Sequence, residues 1–253
     1  MNKKKHHPVY RALCVALTLV FIGIMLYTVS FMPTFGRADN PDVNEVVEKY
    51  VVDGPKETGA LNAVTAMILH YRAFDTLGES CVLFVSAVCV FILLRVDGEM
   101  SNDTLVAIDR HHEPVDDPIL NKTFVLLIPA VFLFGIYVIM NGHLSPGGGF
   151  SGGAIIGAGF LLYLNAYGLE RTERFMNSKV YRPITVGALG FYGIAKSISF
   201  YMGANGLKEA EIVENAGGMF SSGLILPLNI CVGIVVSTTI YAFYVMIRKG
   251  GFN

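Results

Sequence analysis

The sequence predicts an all-α, polytopic membrane protein with about six transmembrane helices and both termini in the cytoplasm. Three observations carry that expectation. Of 253 residues, 53% are hydrophobic and only 15% are charged, whereas soluble domains are roughly a quarter charged. The apolar residues fall in blocks of the ~18 or more residues that a bilayer crossing needs, not at a helix or strand period. The basic residues gather in alternate connecting segments, as in proteins sorted by the positive-inside rule. The formal net charge is −1 and no basic stretch interleaves with aromatics, so the lipid bilayer is an expected partner and nucleic acid is not.

Six spans are expected, at about 9–31, 61–94, 123–141, 152–168, 183–203 and 223–247. The first follows the basic stretch Met1–Lys5. Its apolar run, Val9–Met32, is longer than the h-region of a signal peptide and ends on no small-x-small site, so it reads as a retained helix. With the N-terminus inside, the cytoplasmic side holds Lys3, Lys4, Lys5, Arg11, Arg95, Arg110, Lys122, Arg171, Arg174, Lys179, Arg182, Arg248 and Lys249. The outer side holds Arg37, Lys49, Lys56 and Lys208.

Between the first two spans, the acidic stretch 33–58 suggests a short amphipathic helix near Val43–Tyr50. Residues 96–121 are polar and read as a cytoplasmic linker between a two-helix unit, 1–95, and a four-helix unit, 122–253. His111-His112-Glu113 in that linker, like His6-His7, reads as solvated chain, because adjacent histidines do not face one metal on a helix. Cys14, Cys81, Cys89 and Cys231 each sit in an apolar block and none forms a Cys-x-x-Cys pair. Free thiols are expected, and a zinc or iron–sulfur site on this chain is not.

The second span carries Arg72, Asp75 and Glu79. In a continuous helix, spacings of three and four residues put them on one face, extended by Thr65 and Ser86, with His70 pointing away. Each charge at membrane depth costs roughly 2.5–3.5 kcal/mol on insertion scales, so the stripe is expected to face protein or a hydrated path. Arg72 can pair with Asp75, which leaves Glu79 without an internal partner. Asp75 and Glu79 are like charges one turn apart, an arrangement that disfavours ionising both and suits proton or cation exchange. A salt bridge that merely locks this helix to a neighbour is the alternative. Gly78 is a place where the helix could break and rotate the stripe apart.

The fourth span is preceded by Gly142-His143-Leu144-Ser145-Pro146-Gly147-Gly148-Gly149-Phe150-Ser151-Gly152-Gly153. A nucleotide-binding reading fails: a dinucleotide fingerprint needs a preceding strand, and a P-loop needs Gly-Lys-Ser/Thr. The expectation is mechanical. Pro146 and the glycines turn the backbone sharply, while Gly152, Gly153, Gly157 and Gly159 allow close helix approach and Phe150 anchors the loop. His143 could titrate near neutral pH or serve as a hydrogen-bonded structural group. In the fifth span, Lys196 lies about a dozen residues from Pro183, near mid-membrane at about 1.5 Å per residue. It is a functional candidate, with snorkelling to the outer headgroups as the alternative.

Residues 123–253 resemble the MnhB/MrpB-type subunit of multisubunit cation/proton antiporters, through Asn141-Gly142-His143-Leu144-Ser145-Pro146-Gly147-Gly148-Gly149-Phe150 and Gly152-Gly153. Residues 60–95 resemble the MbhE-like segment, through Tyr71-Arg72-Ala73-Phe74-Asp75-Thr76-Leu77-Gly78-Glu79. The resemblance implies a non-catalytic, multi-pass subunit of the cell membrane, in an Mrp-type module that exchanges Na+ for H+. It implies other Mrp-type antiporter subunits as partners. Hydrogenase subunits join them if the host is a membrane-bound hydrogenase or a related sulfane-sulfur-reducing complex. No cofactor or metal is expected on this chain, and Na+ and H+ would be transported ions.

With that resemblance, Arg72, Asp75, Glu79, Lys196 and His143 are the expected ion-path and charge-pairing residues. Gly142, Ser145, Pro146, Gly147, Gly148, Gly149, Phe150, Gly152 and Gly153 form the expected helix-interface motif. Two competing expectations stand beside it. One is a structural adaptor that joins an antiporter to a redox arm and moves no ion. The other, weakened by the lack of an apparent inverted repeat, is an independent transporter.

Overall fold

The computed structural model describes residues 8–32, 36, 45–93, 118–205 and 223–249. Among them every regular element is helical. The chain divides into two units, 1–48 and 49–253. The polar linker, His6-His7 and His111-His112-Glu113 lie outside the described residues.

The first unit holds α1 (Pro8–Ser30) and the helical turn α2 (Glu45–Glu48). Helix α1 is apolar on every side, the pattern of a segment surrounded by lipid or other helices. Its hydroxyls make no demand on that environment. Thr18 donates to the Cys14 carbonyl at 2.8 Å and Thr28 to the Ile24 carbonyl at 2.9 Å.

The second unit opens with a π turn, Lys49–Asp53, followed by α3 (Gly54–Thr58), α4 (Ala63–Ala66) and a second π turn, Met67–Tyr71. Five long helices follow: α5 (Ala73–Leu93), α6 (Pro118–Met140), α7 (Gly149–Tyr167), α9 (Ser178–Ala204) and α10 (Ile225–Lys249), with the short α8 (Leu169–Glu173) between α7 and α9. Helix α10 is the axis of this unit: 67% of its span is buried, against 17% for α5 and for α6. Leu228, Val232, Val235 and Val236 of α10 form the core with Tyr192, Ala66 and Leu69. Helix α7 packs on one side of α10 and carries α6 on its far side, while α9 and α5 pack on α10 elsewhere.

Five helices among the described residues are long and apolar enough to cross a membrane: 12–30, 73–93, 121–140, 149–167 and 225–248. The sixth expected span, 183–203, lies in α9. That helix has 27 residues, about 40 Å at the α-helical rise, but Lys179, Arg182 and Lys196 lower its apolarity.

Three expected boundaries are corrected. The span drawn at 61–94 is not one helix. Asn62 caps α4, the π turn follows, and Arg72 leaves helical geometry at φ −117° and ψ 36°, so the crossing helix starts at Ala73. It then runs unbroken through Gly78. The fourth span begins at Gly149, because Gly149–Gly153 are helical and packed between neighbours. Helix α6 begins at Pro118, inside the segment drawn as linker.

Candidate functional site

The start of α5 is fixed from two sides. Thr76 donates to the Ile68 carbonyl at 2.7 Å, closing the π turn onto the helix. Tyr192 of α9, 1% exposed, donates to the Ala73 carbonyl at 2.9 Å. From that fixed start, Arg72 and Asp75 form an ion pair at 2.5 Å, with side chains 60% and 52% exposed. Glu79 lies one turn further along and is also exposed. It forms no ion pair with another described residue, and Val82 continues the same exposed surface.

The carboxylates and Arg72 therefore share one face, and that face points out of this chain. Thr65 does not belong to it, because the break before Arg72 turns it inward. It is buried and donates to the Gly142 carbonyl at 2.7 Å. Ser86 is exposed but donates back to the Leu83 carbonyl at 2.8 Å.

Lys196 is 5% exposed. On α9 it lies between Tyr192, bonded to Ala73, and Phe200, whose ring meets Phe74 edge-on at 5.7 Å. Its level is thus the first turn of α5, close to one end of the crossing helices. A cavity of about 400 Å³ joins it to His70, Tyr71, Phe74 and Ser199. Sequence reasoning placed Lys196 with the acidic stripe and missed His70 and Tyr71.

Tyr71 connects this cavity to a polar segment outside the spans. It donates to the Glu57 carboxylate at 2.6 Å and stacks on Tyr50 at 4.9 Å. Glu57 also pairs with Lys49. Hydrogen bonds from Lys49 and then Tyr71 hold the Glu57 carboxyl below its ordinary value, and the bond to Glu57 raises the Lys49 ammonium.

The glycine motif forms a knot at the same end of the helices. Gly147 and Gly148 have φ of 150° and 136°, which releases the chain into α7. A Cβ at Gly153 would lie 2.7 Å from the Gly233 carbonyl oxygen, and one at Gly149 would lie 2.5 Å from that of Asn229. With Gly157 they form a small-residue row at every fourth position, against which the α10 backbone rests. Asn229, 3% exposed, accepts from the Gly149 N–H at 3.0 Å. Asn62 ties the knot to the first half of the unit. Its amide donates to the Gly142 and Ser145 carbonyls at 3.0 and 2.9 Å, and its N–H donates to the His143 carbonyl at 3.0 Å.

His143 itself is fully buried in this knot, away from the acidic face. Phe150 packs against the core, while Ser145 bonds back to Asn141 at 3.2 Å and Pro146 follows in the turn. Neither asparagine was singled out from sequence. The available signal was an amide at the start of an otherwise apolar span. Among the described residues, no group of three His, Cys, Asp or Glu side chains could hold a metal ion.

The knot and the charged face occupy the two parts of the chain that match known families. Residues 10–109 match the MbhE family model, and residues 119–242 that of the domain related to the MnhB subunit of Na+/H+ antiporter. An uncharacterised protein of Methanocaldococcus jannaschii is 30% identical, over 89% of this chain and 87% of its own. A Rhizobium meliloti protein described as the A/B subunit of a K+/H+ antiporter is 26% identical over 66% of this chain, and only 18% of its own length is covered.

Among solved structures, a chain of the membrane-bound sulfane sulfur reductase, an archaeal respiratory membrane complex, superimposes with a TM-score of 0.63. It is 30% identical, with 93% of this chain and 97% of that chain covered. A chain of the Mrp complex from Dietzia shares the fold, with a TM-score of 0.61 at 22% identity, over 96% of this chain and 26% of that one. The chain belongs to the family of multi-pass membrane proteins that carry an MnhB domain behind an MbhE segment.

Proposed function

We propose that this chain is a membrane subunit of a multisubunit cation/proton antiporter module in the cell membrane, that it exchanges Na+ for H+ with its partners, and that it is not itself an enzyme. The observation that carries the reading is the α5 face: an Arg72–Asp75 pair, with Glu79 one turn on, on a helix apolar enough to cross a bilayer. Charges so exposed are not stable against hydrocarbon. A neighbouring subunit covers them, and Glu79 then lies at the seam between two proteins, where a cation or proton can replace a fixed counter-charge. Lys196 and His143 lie off this seam and act on packing and local potential. Helix α9 crosses as the sixth span, which returns both termini to the cytoplasm in agreement with the basic residues at the end shared by Arg171, Arg182 and Arg248.

Glu79→Gln keeps the shape and removes the charge. It should abolish sodium-dependent proton exchange in vesicles while the complex still assembles. Full exchange by an assembled Glu79→Gln complex takes Glu79 out of the mechanism.

The near full-length match to a chain of a respiratory complex, with both segments on one polypeptide, supports a host in which the module is joined to a redox arm. Hydrogenase-type or sulfur-reducing subunits then co-purify with it. The glycine knot favours a second reading, a structural adaptor that moves no ion, because Asn62, Asn229 and the glycines build packing alone. In that case Asp75→Asn and Glu79→Gln reduce assembly on native gels and leave exchange per assembled complex unchanged.

A further inference from the structure

We propose that the cavity between α5, α9 and α10 is a binding site for one membrane phospholipid, with a hydrocarbon chain inside it and the headgroup phosphate on Arg182. The cavity arises because α5 and α9 touch only near one end. There Tyr192 bonds Ala73, Phe74 meets Phe200, and Gly193 lies against Leu77. Toward the other end α5 leans on α10 instead, with Phe91 and Phe243 rings 5.6 Å apart. The space left between α5 and α9 is about 500 Å³.

Its walls fit a hydrocarbon chain. Phe84, Val88 and Ile92 of α5 face Val186 of α9, and Val186 and Ile92 are themselves exposed, so the cavity opens sideways to the membrane. The hydroxyls on its floor are already used. Thr185 donates to the Tyr181 carbonyl at 2.7 Å and lies 2.8 Å from the Thr238 hydroxyl, and Thr239 donates to the Val235 carbonyl at 2.6 Å. A space whose polar atoms are satisfied gives water too few partners and is best filled by an apolar group.

Its length fits one leaflet. From Phe84, midway along α5, to Ile92, next to its end, the helix rises about 12 Å, close to half of a hydrocarbon core about 30 Å thick. A helix from another subunit, about 10–12 Å across with its side chains, would need roughly twice the volume over that length.

Its mouth selects the headgroup. Arg182 lines the cavity and is exposed, and Lys179 stands one turn before it on α9. Arg171, Arg174 and Arg248 belong to the same end of the unit, where Glu170 is paired with Arg174 at 3.3 Å. A basic rim around an apolar slot between membrane helices suits an anionic lipid.

The test is native mass spectrometry of the whole complex, purified in mild detergent, for phospholipid retained on this chain. The wild type should keep one molecule. Val186→Trp, which fills the slot from its exposed wall, and Arg182→Ala, which removes the cation, should each lose it, and Arg182→Lys should keep most of it. A cryo-EM map of the wild-type complex should show an unbranched tail between Phe84 and Ile92. Equal retention by Val186→Trp and Arg182→Ala, or a helix of another subunit in the slot, would overturn the proposal. None of these outcomes bears on Glu79.

Discussion

The side-chain oxygen of Asn229 accepts a hydrogen bond from the backbone N–H of Gly149 at 3.0 Å, joining the first turn of α10 to the first turn of α7. The first N–H groups of a helix have no partner within it, and here the neighbouring helix supplies one. Both residues are buried. Asn229→Leu should therefore leave an unsatisfied donor in the core. A loss of about 1–3 kcal/mol is expected, read as a lower thermal midpoint of the purified complex with exchange activity retained below it.

The same helices meet through Gly153, where a Cβ would lie 2.9 Å from the Gly233 Cα. Gly153→Leu should push α7 off α10 and lower the yield of assembled complex. Gly187→Ala is the control. Its Cβ would meet nothing within 4 Å, and replacing a mid-helix glycine gains up to about 1 kcal/mol. That variant should assemble at least as well as the wild type.

These contacts show what the sequence carried and what it hid. The Arg72–Asp75 pair and the shared face of Asp75 and Glu79 followed from spacing alone, because a helix fixes its own periodicity. The start of α5 did not. The π turn before Arg72 depends on Thr76 reaching Ile68 and on Tyr192 reaching Ala73, both tertiary contacts. Gly149–Gly153 read as loop because glycines are poor helix formers in isolation. The contact with Gly233 and Asn229 reverses that preference, and no local pattern announces it. Asn62 and Asn229 looked like ordinary amides until their partners, 80 residues away, were known.

In the assembled complex the Arg72–Asp75 pair should be worth more than the ~0–1 kcal/mol of a surface pair in water, because another subunit shields it. Asp75→Asn alone should strand Arg72 and reduce assembly severely. Adding Arg72→Gln should restore part of it. A double-mutant cycle on thermal stability that gives a coupling near zero would place the pair in open water.

Outside the membrane, the Lys49–Glu57–Tyr71 cluster should make the polar segment sensitive to pH. The folded Glu57 pKa lies below its ordinary 4.5. Its contribution is therefore complete above that value and is lost as pH falls through the lower, folded value. The raised Lys49 pKa acts at the opposite extreme, complete below 10.5 and lost as pH rises through the folded value. Hydrogen exchange of residues 49–66 should quicken in acid in the wild type, and much less steeply in Glu57→Gln.

The central claim is that the outward charges of α5 are sheltered by another subunit. A cryo-EM map of the assembled complex tests it most directly. Density from a second polypeptide should cover Asp75 and Glu79, with a basic side chain, an ion or ordered water beside the Glu79 carboxylate. Lipid tails lying directly against both carboxylates, with no second polypeptide there, would contradict it.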